Sequence, residues 1–177
     1  MGSLVTKMHK AMRRMQEKIT DRIDFITSSR IDLSECTSVC LTLGPYRNLT
    51  TLTAAILFLH PHCQVLNHAG GRIFGRKQLD FLSDYSKKRL DRFVQYAIQI
   101  SSKGKAGDYG GSITHSHAFD AQHQMKQTFK KAGGQYIKDH ITCLFWKESL
   151  RTSNVIRGNN INLGPIFAKD SRLRFVL

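Results

Sequence analysis

Short apolar runs alternate with segments of helical periodicity along most of this 177-residue chain. Residues 39–43 and 141–146 have the length and composition of strands that are covered on both faces. The apolar stretch 52–59 is expected to lie in a helix, apolar residues recur at helical spacing over 78–100, and a further helix is expected over 118–131. Strands separated by helices predict an α/β fold, in which a parallel sheet carries flanking helices.

A different pattern occupies the N-terminal 30 residues. Apolar side chains recur there at steps of three and four, with basic residues between them: Met8, Met12, Met15, Ile19, Ile23 and Ile26. The spacing predicts an amphipathic basic helix over residues 1–30, ahead of an α/β domain over residues 31–177. The apolar stripe needs a surface to cover it, which is the domain or another helix, including the same helix of a homo-oligomer. A membrane surface is a further alternative, although the stripe has no aromatic residue before Phe25.

The polar turn after the first strand has the composition of an anion site. Side chains able to bind an anion follow where the next helix begins: Arg47, Asn48, Thr50 and Thr51. A guanidinium, two hydroxyls and the N–H groups of a helix start converge there, which favours phosphate or sulfate. The alternative is a capped turn without a ligand, since Asn and Thr are common at helix starts. The G-x-x-x-x-G-K-[ST] pattern is absent, which argues against an ordinary ATPase.

This segment resembles the sulfotransferase family's loop for the 5′-phosphosulfate of PAPS (3′-phosphoadenosine 5′-phosphosulfate). That loop is usually a [K/R]-S-G-T-T turn between a strand and a helix, often with His-Pro before the next strand. Here the turn is Arg47-Asn48-Leu49-Thr50-Thr51, and His60-Pro61 closes the helix. Leu49 stands where the pattern has glycine, at a point where the backbone should approach the phosphate closely. The resemblance implies a P-loop-like three-layer architecture and binding of PAPS by these five residues, without a metal.

Three polar clusters follow predicted strands: the turn at 47–51, then Asn67-His68, then Lys147-Glu148-Ser149. The carboxyl ends of parallel strands share one edge of the sheet, so we expect these clusters to meet in one cleft. The resemblance implies that Lys147 lies near the transferred sulfuryl group and that His68 or Glu148 is the catalytic base. His68 is favoured, because a neutral imidazole takes a hydroxyl proton near pH 7. The alternatives are a turn-capping His68 and a solvated or salt-bridged Lys147.

Further histidines follow the glycine-rich segment 101–111, which is long enough to be a functional lid. His115 or His117 is therefore a second candidate base. A zinc site that uses both of these and His123 lacks an obvious carboxylate or thiolate to complete it. No metal is expected.

The composition limits the classes of partner. A net charge of +14, from 27 basic and 13 acidic residues, attracts polyanions. Nucleic acid is nevertheless not the expected partner, because aromatic residues are not interleaved with the basic ones and no zinc finger or RNP sequence is present. The four cysteines, with no secretory leader, are typical of reduced thiols in a cytoplasmic protein. No apolar stretch reaches the roughly 20 residues of a membrane span.

The expected function is transfer of a sulfuryl group from PAPS to a hydroxyl or amine of a small molecule or glycan. The alternatives are a non-catalytic anion- or nucleic-acid-binding domain and a degenerate P-loop kinase, although no Walker lysine or clear Mg²⁺-binding Asp supports the kinase. Residues 172–177 form a strand-like run with no polar tail. In the family such a strand leads to an Arg- and Ser-containing segment that binds the 3′-phosphate, so a C-terminally truncated domain is expected; a terminal edge strand is the alternative.

Overall fold

The computed structural model describes residues 2–45, 49–104, 110–120 and 124–176. Its helices are α1 (Gly2–Thr27), α2 (Thr50–Leu57), α3 (Gly70–Ile73), α4 (Lys87–Ser101), α5 (Gln124–Lys131), α6 (Ser149–Gly158) and α7 (Gly164–Lys169). Its strands are β1 (Ser38–Thr42), β2 (Cys63–Asn67), β3 (Gly111–Ser112), β4 (Cys143–Lys147) and β5 (Leu173–Val176). Short 3-10 helices lie at Ser28–Arg30, Ile113–His115 and His117–Phe119.

The described strands form one sheet in the order β3-β2-β4-β1-β5. Strands β2, β4, β1 and β5 are parallel, and the two-residue β3 pairs antiparallel with β2. The prediction of an α/β fold with a parallel sheet and flanking helices is thus confirmed, apart from the antiparallel edge. Residues 173–176, at the end of the described chain, form the opposite edge beside β1.

Two apolar cores cover the two faces of the sheet. On one face, Leu41, Leu66 and Trp146 pack with buried residues of α4. On the other, Val65 and Phe145 pack with residues of α2 and α5. Alternate residues of each strand point to opposite faces, so strands with both faces covered consist of continuous apolar runs.

The prediction of a helix over 78–100 is wrong for residues 78–86. Residues 78–86 form turns, in which Asp80 accepts a hydrogen bond from the N–H of Ser83 at 3.0 Å. The helix begins at Lys87, because the Ser86 hydroxyl accepts from the N–H of Arg89 at 3.2 Å and caps it. The helix expected over 118–131 likewise starts later, at Gln124 among the described residues.

The N-terminal helix α1 is held to the domain near its C-terminal end. Asp21 pairs with Arg72 and Arg76, and Asp24 pairs with Lys103. Ring contact joins Phe25 to a tyrosine of α4, with centroids 5.8 Å apart. These anchoring residues lie on the opposite side of α1 from its apolar stripe. The stripe stays exposed and is not covered by the domain: Val5, Met8, Met12, Met15, Ile19, Ile23 and Ile26 are each 50–64% exposed.

The edge strand β5 is fixed at its start by a partly buried ion-pair cluster. Arg172 donates to Asp170 at 2.7 Å and to Asp91 of α4 at 2.8 Å. Hydrogen bonds from Arg172 hold the pKa of Asp170 at about 2, well below its usual range. The same carboxylate accepts from the hydroxyl of Tyr85 and contributes to raising the pKa of that phenol to about 12, after the larger effect of burial.

Among the described residues, no helix combines the length and apolarity that a bilayer span requires.

Candidate functional site

The structure brings His68, Lys147 and Glu148 together at the carboxyl ends of β2 and β4. Lys147 is the last residue of β4 and lies in register with Asn67, the last residue of β2. The Lys147 Nζ is 2.8 Å from His68 Nε2, and His68 Nδ1 is 3.5 Å from Glu148 Oε1. The three polar side chains therefore form a continuous chain of contacts across two neighbouring strands.

His68 and the next residue adopt a backbone conformation that is rare for residues with side chains. His68 has φ 58° and Ala69 has φ 73°. Each left-handed residue other than glycine costs about 1–2 kcal/mol. Contacts from β4 offset this cost, because the His68 N–H donates to the Lys147 carbonyl at 2.9 Å and the Trp146 indole donates to the His68 carbonyl at 2.6 Å. Strained backbone held in this way is concentrated at functional sites.

Glu148 is a buried carboxylate with defined partners. Its side chain is 9% exposed, against 22% for His68. Its Oε2 accepts from the N–H of Gly70 at 2.8 Å. Burial alone would raise the pKa of Glu148, but the hydrogen bonds from His68 and Gly70, with the charge of Arg151, lower it below its ordinary value. Glu148 is thus ionised at neutral pH and suited to orient the imidazole.

Lys147 and Glu148 together define which nitrogen of His68 carries a proton. An ammonium group can only donate, so Lys147 donates to Nε2, and Nδ1–H points toward the Glu148 carboxylate. Burial lowers the pKa of Lys147, and the charge of Glu148 partly offsets that effect. The arrangement can hold a neutral imidazole in one tautomer next to a positive charge.

Two further residues complete this corner of the site. Thr42, the last residue of β1, accepts from the N–H of Glu148 at 3.0 Å and donates to the carbonyl of Trp146 at 3.2 Å. It thereby fixes the end of β4 against β1. The Oδ1 of Asn67 is buried and has no hydrogen-bond partner among the described residues. Nothing in the local sequence indicated the role of Thr42, because its contacts lie 104 and 106 residues away.

The turn after β1 is described only in part. Arg47 and Asn48, which are predicted from the sequence to bind an anion, lie outside the described residues. Leu49 has φ 60° and ψ 9° and is 72% exposed. Thr50 and Thr51 lie in the first turn of α2. Leu49 is the N-cap residue, and the helix has no side-chain capping hydrogen bond there. The position where the sulfotransferase pattern has glycine is thus in the conformation that favours glycine.

The candidate site lies where the chain reverses its direction across the sheet. From β1 the chain continues into α2, which packs on one face, and from β4 it continues into α6, which contributes Ile156 to the core on the other face. Neighbouring parallel strands whose connections leave on opposite faces open a crevice at their carboxyl ends. Thr42 and Glu148 meet at this point. The Gly44 N–H on the same edge donates to the Ser153 hydroxyl of α6 at 2.9 Å.

Two cavities adjoin other parts of the chain. One of about 370 Å³ is lined by the start of the turn after β1 and by α6: Gly44, Pro45, Leu150, Ser153 and Arg157. The other, of about 640 Å³, lies between the turn around Tyr85 and residues 159–169. Only the first lies at the edge of the sheet where the strand ends of the candidate site are located.

The remaining predicted residues surround the site or lie outside the described chain. His115 and His117 lie in separate 3-10 turns, and His123 is outside the described residues. Gly110, at the end of the predicted lid, packs against Ala69, where an added Cβ would lie 3.0 Å from the Ala69 Cα. Within the parts of the chain that the structure describes, no cluster of three His, Cys, Asp or Glu residues could hold a metal ion.

Comparison of the chain with protein-family models, with curated proteins and with solved structures found no match.

Proposed function

We propose that this protein transfers a sulfuryl group from PAPS to a hydroxyl or amine acceptor. The observation that carries the proposal is the chain of contacts from Lys147 through His68 to Glu148 at the crevice between β1 and β4. It supplies a cation for phosphate charge and an oriented base within one hydrogen-bonded unit. We further propose that the sheet, with helices on both faces, belongs to the P-loop-like three-layer architecture that the resemblance implies.

The backbone at Leu49 supports the donor site. Leu49, directly before α2, has a left-handed backbone and makes no side-chain hydrogen bond to that helix. The first N–H groups of a helix have no acceptor within it and can bind an anion. Those groups and the hydroxyls of Thr50 and Thr51 suit a tetrahedral anion. Residues 47 and 48 would add a guanidinium and an amide, as the sequence pattern of the loop predicts.

The proposed step needs positioning and electrostatic stabilisation. The acceptor oxygen or nitrogen attacks the sulfur of PAPS and forms a new bond, the bond between sulfur and the 5′-phosphate oxygen breaks, and PAP leaves. The acceptor proton passes to His68 Nε2. Negative charge grows on the departing phosphate oxygen, which the Lys147 ammonium stabilises.

The hydrogen bond between Lys147 and His68 suggests how donor binding activates the base. While Lys147 donates to Nε2, that nitrogen cannot accept a proton from substrate. A phosphosulfate in the crevice attracts the ammonium away from the imidazole and exposes Nε2 to the acceptor. Glu148 stays on Nδ1 and stabilises the imidazolium that forms. Proton transfer would then follow donor binding.

Asn67 has the properties of an acceptor-binding residue in this scheme. The Asn67 Oδ1 is buried and accepts no hydrogen bond from the described residues. The residue lies in register with Lys147 on the neighbouring strand. A buried acceptor atom with no partner in the protein is a candidate for a ligand hydroxyl or amine. Asn67→Leu keeps the volume and removes that acceptor, so we expect weaker acceptor binding with unchanged PAP affinity.

The test is binding of PAP, measured by calorimetry and by the shift in melting temperature. PAP should raise the melting temperature more than equimolar AMP or ATP with Mg²⁺, because a ligand that binds only the folded state stabilises it. Lys147→Met should weaken PAP binding at least ~10-fold, the loss of one charge-assisted hydrogen bond. Lys88→Met is the matched control, since Lys88 is exposed in the first turn of α4, next to Lys87, which pairs with Asp91.

Enzymatic turnover separates the role of Glu148 from that of Lys147. With PAPS and a panel of phenols, amines and sugars, Glu148→Gln should lower kcat and leave PAP affinity unchanged, because it removes the charge that orients His68. Stabilisation by ATP with Mg²⁺ equal to that by PAP would instead favour the kinase.

The charge of +14 favours a second candidate, a non-catalytic binder of polyanions. In that case affinity for heparin or duplex DNA falls steeply with salt concentration, PAP binds no better than AMP, and Lys147→Met has the same effect as Lys88→Met.

A further inference from the structure

The apolar stripe of α1 is the largest exposed apolar surface along a single element of the described chain. Its seven residues are each 50–64% exposed, which amounts to roughly 700 Å² of apolar surface, more than the few hundred Å² that monomeric proteins commonly expose in one patch. The domain does not cover it, because the residues that anchor α1, such as Asp24 and Phe25, are on the other side of the helix. The stripe needs a partner in solution.

The spacing of the stripe is that of a coiled-coil seam. Six of its seven residues follow a seven-residue repeat: Val5, Met12, Ile19 and Ile26 at one position, with Met8 and Met15 at the other. Ile23 lies one residue after Arg22, which occupies the next site of the second position. The seven side chains fall within about 80° of the helix circumference, narrower than the stripe of at least about 100° that a helix buries on a globular core.

The same pattern argues against a lipid surface as the partner. Helices that lie on membranes carry Trp, Phe or Leu on the apolar face. This stripe consists of Val, Met and Ile, and Phe25, the aromatic residue nearest to it, packs against the domain. A second copy of α1 offers a stripe of the same width and length.

We infer that α1 pairs with α1 of a second copy as an antiparallel two-helix coiled coil. Charge determines the orientation. In a parallel pair, Arg22 at the next seam position would face Arg22 of the other copy, and two domains of a chain with net charge +14 would lie side by side. In the antiparallel pair, Met8 packs on Ile19, Met12 packs on Met15, and Arg22 lies at the end of the seam beside Val5.

The antiparallel geometry also fits the way in which α1 joins the domain. Residues 5–20 project as a helix about 24 Å long, at 1.5 Å per residue. The domain is attached at Asp21, Asp24 and Phe25, on the side away from the seam. The two attachment points would therefore be about 30 Å apart along the helix axis, several times the ~8 Å Debye length at physiological salt.

The first experiment measures the oligomeric state of the full chain by light scattering and sedimentation over a range of concentrations. The parent chain should be a dimer. Met12→Glu with Met15→Glu should weaken the dimer at least ~100-fold, because each charge would be buried in the seam. Lys10→Gln with Arg14→Gln changes the net charge by the same amount on the opposite face and should leave the dimer intact. A monomeric parent chain, or equal effects of both variants, would overturn the inference.

The second experiment fixes the orientation by disulfide formation. A mixture of Met8→Cys and Ile19→Cys chains should form mixed disulfide dimers, whereas Met8→Cys alone should not crosslink to itself. Crosslinking of Met8→Cys alone would show a parallel pair and refute the antiparallel arrangement. Binding of a monomeric chain to vesicles of anionic lipid would assign the stripe to a membrane and refute both the parallel and the antiparallel helix pair.

Discussion

Replacing Leu49 by glycine tests whether the turn before α2 has the shape required for the proposed donor site. Leu49 is the residue directly before the helix, with φ 60° and ψ 9°. Its side chain is 72% exposed, so the substitution removes little buried surface. The change in the free energy of unfolding should therefore reflect mainly the backbone conformation at residue 49.

The expected gain is the difference between two opposing terms. A left-handed conformation costs a residue other than glycine about 1–2 kcal/mol, and glycine avoids that cost. Glycine also makes the unfolded chain more flexible, which takes back about 0.4–1 kcal/mol. Leu49→Gly should thus raise the free energy of unfolding by about 0.5–1 kcal/mol, or the melting temperature by about 1–4 °C for a chain of this size.

The assay is equilibrium unfolding in urea, with Leu49→Ala as the matched control. Alanine removes the exposed side chain but keeps the Cβ, so it keeps most of the backbone strain and should leave stability nearly unchanged. If alanine stabilises as much as glycine, the gain comes from removing an exposed leucine. A loss of stability with glycine would show that the turn is not left-handed in solution. Under the proposed function, Leu49→Gly should also tighten PAP binding, since the backbone could then approach the phosphate more closely.

Three other substitutions test contacts around the site and the core. Gly70→Ala should lower stability by about 1–3 kcal/mol, measured by urea unfolding, because its Cβ would lie 2.8 Å from Glu148 Oε2 and 2.6 Å from the Cδ of Arg151. Asp170→Asn should cost about 2–2.5 kcal/mol at pH 7. Since the folded pKa of Asp170 is about 2 and its ordinary value is 3.8, its contribution is complete above the ordinary value and is lost as the pH falls through the folded one; thermal scans of both proteins should therefore converge near pH 2. Asp21→Asn leaves Arg72 and Arg76 without the charged partner that holds α1. Protease cleavage between α1 and the domain should therefore become faster. An unchanged cleavage rate would show that the apolar contacts alone hold the helix.

Much of the sheet could be predicted because its strands are short apolar runs with polar ends. Strand β1 was expected at 39–43 and lies at Ser38–Thr42, and β4 was expected at 141–146 and lies at Cys143–Lys147. The helix α6 was missed for a physical reason. Its buried residues are Ser149 and Thr152, so its inner face lacks the apolar periodicity by which helices are recognised.

The meeting of His68 with Lys147 and Glu148 follows from a rule about parallel sheets, but the geometry of the meeting does not. The rule places all strand ends at one edge. The conformation of His68 depends on the Trp146 indole and the Lys147 carbonyl, which are 78 and 79 residues further along the chain. No local pattern contains that information.

The three left-handed residues at this edge indicate where tertiary contacts override local preference. Leu49, His68 and Ala69 all have positive φ, a left-handed conformation that would cost glycine almost nothing. A strain of about 1–2 kcal/mol at each is substantial against a total stability of about 5–15 kcal/mol. The buried core beneath β2 and β4 offsets this cost. Because all three residues lie at the ends of β2 and of the turn after β1, the strain is concentrated at the edge where the proposed donor and base would meet. Leu49→Gly should therefore change PAP binding, whereas Glu148→Gln should change turnover, and both effects arise at this one edge of the sheet.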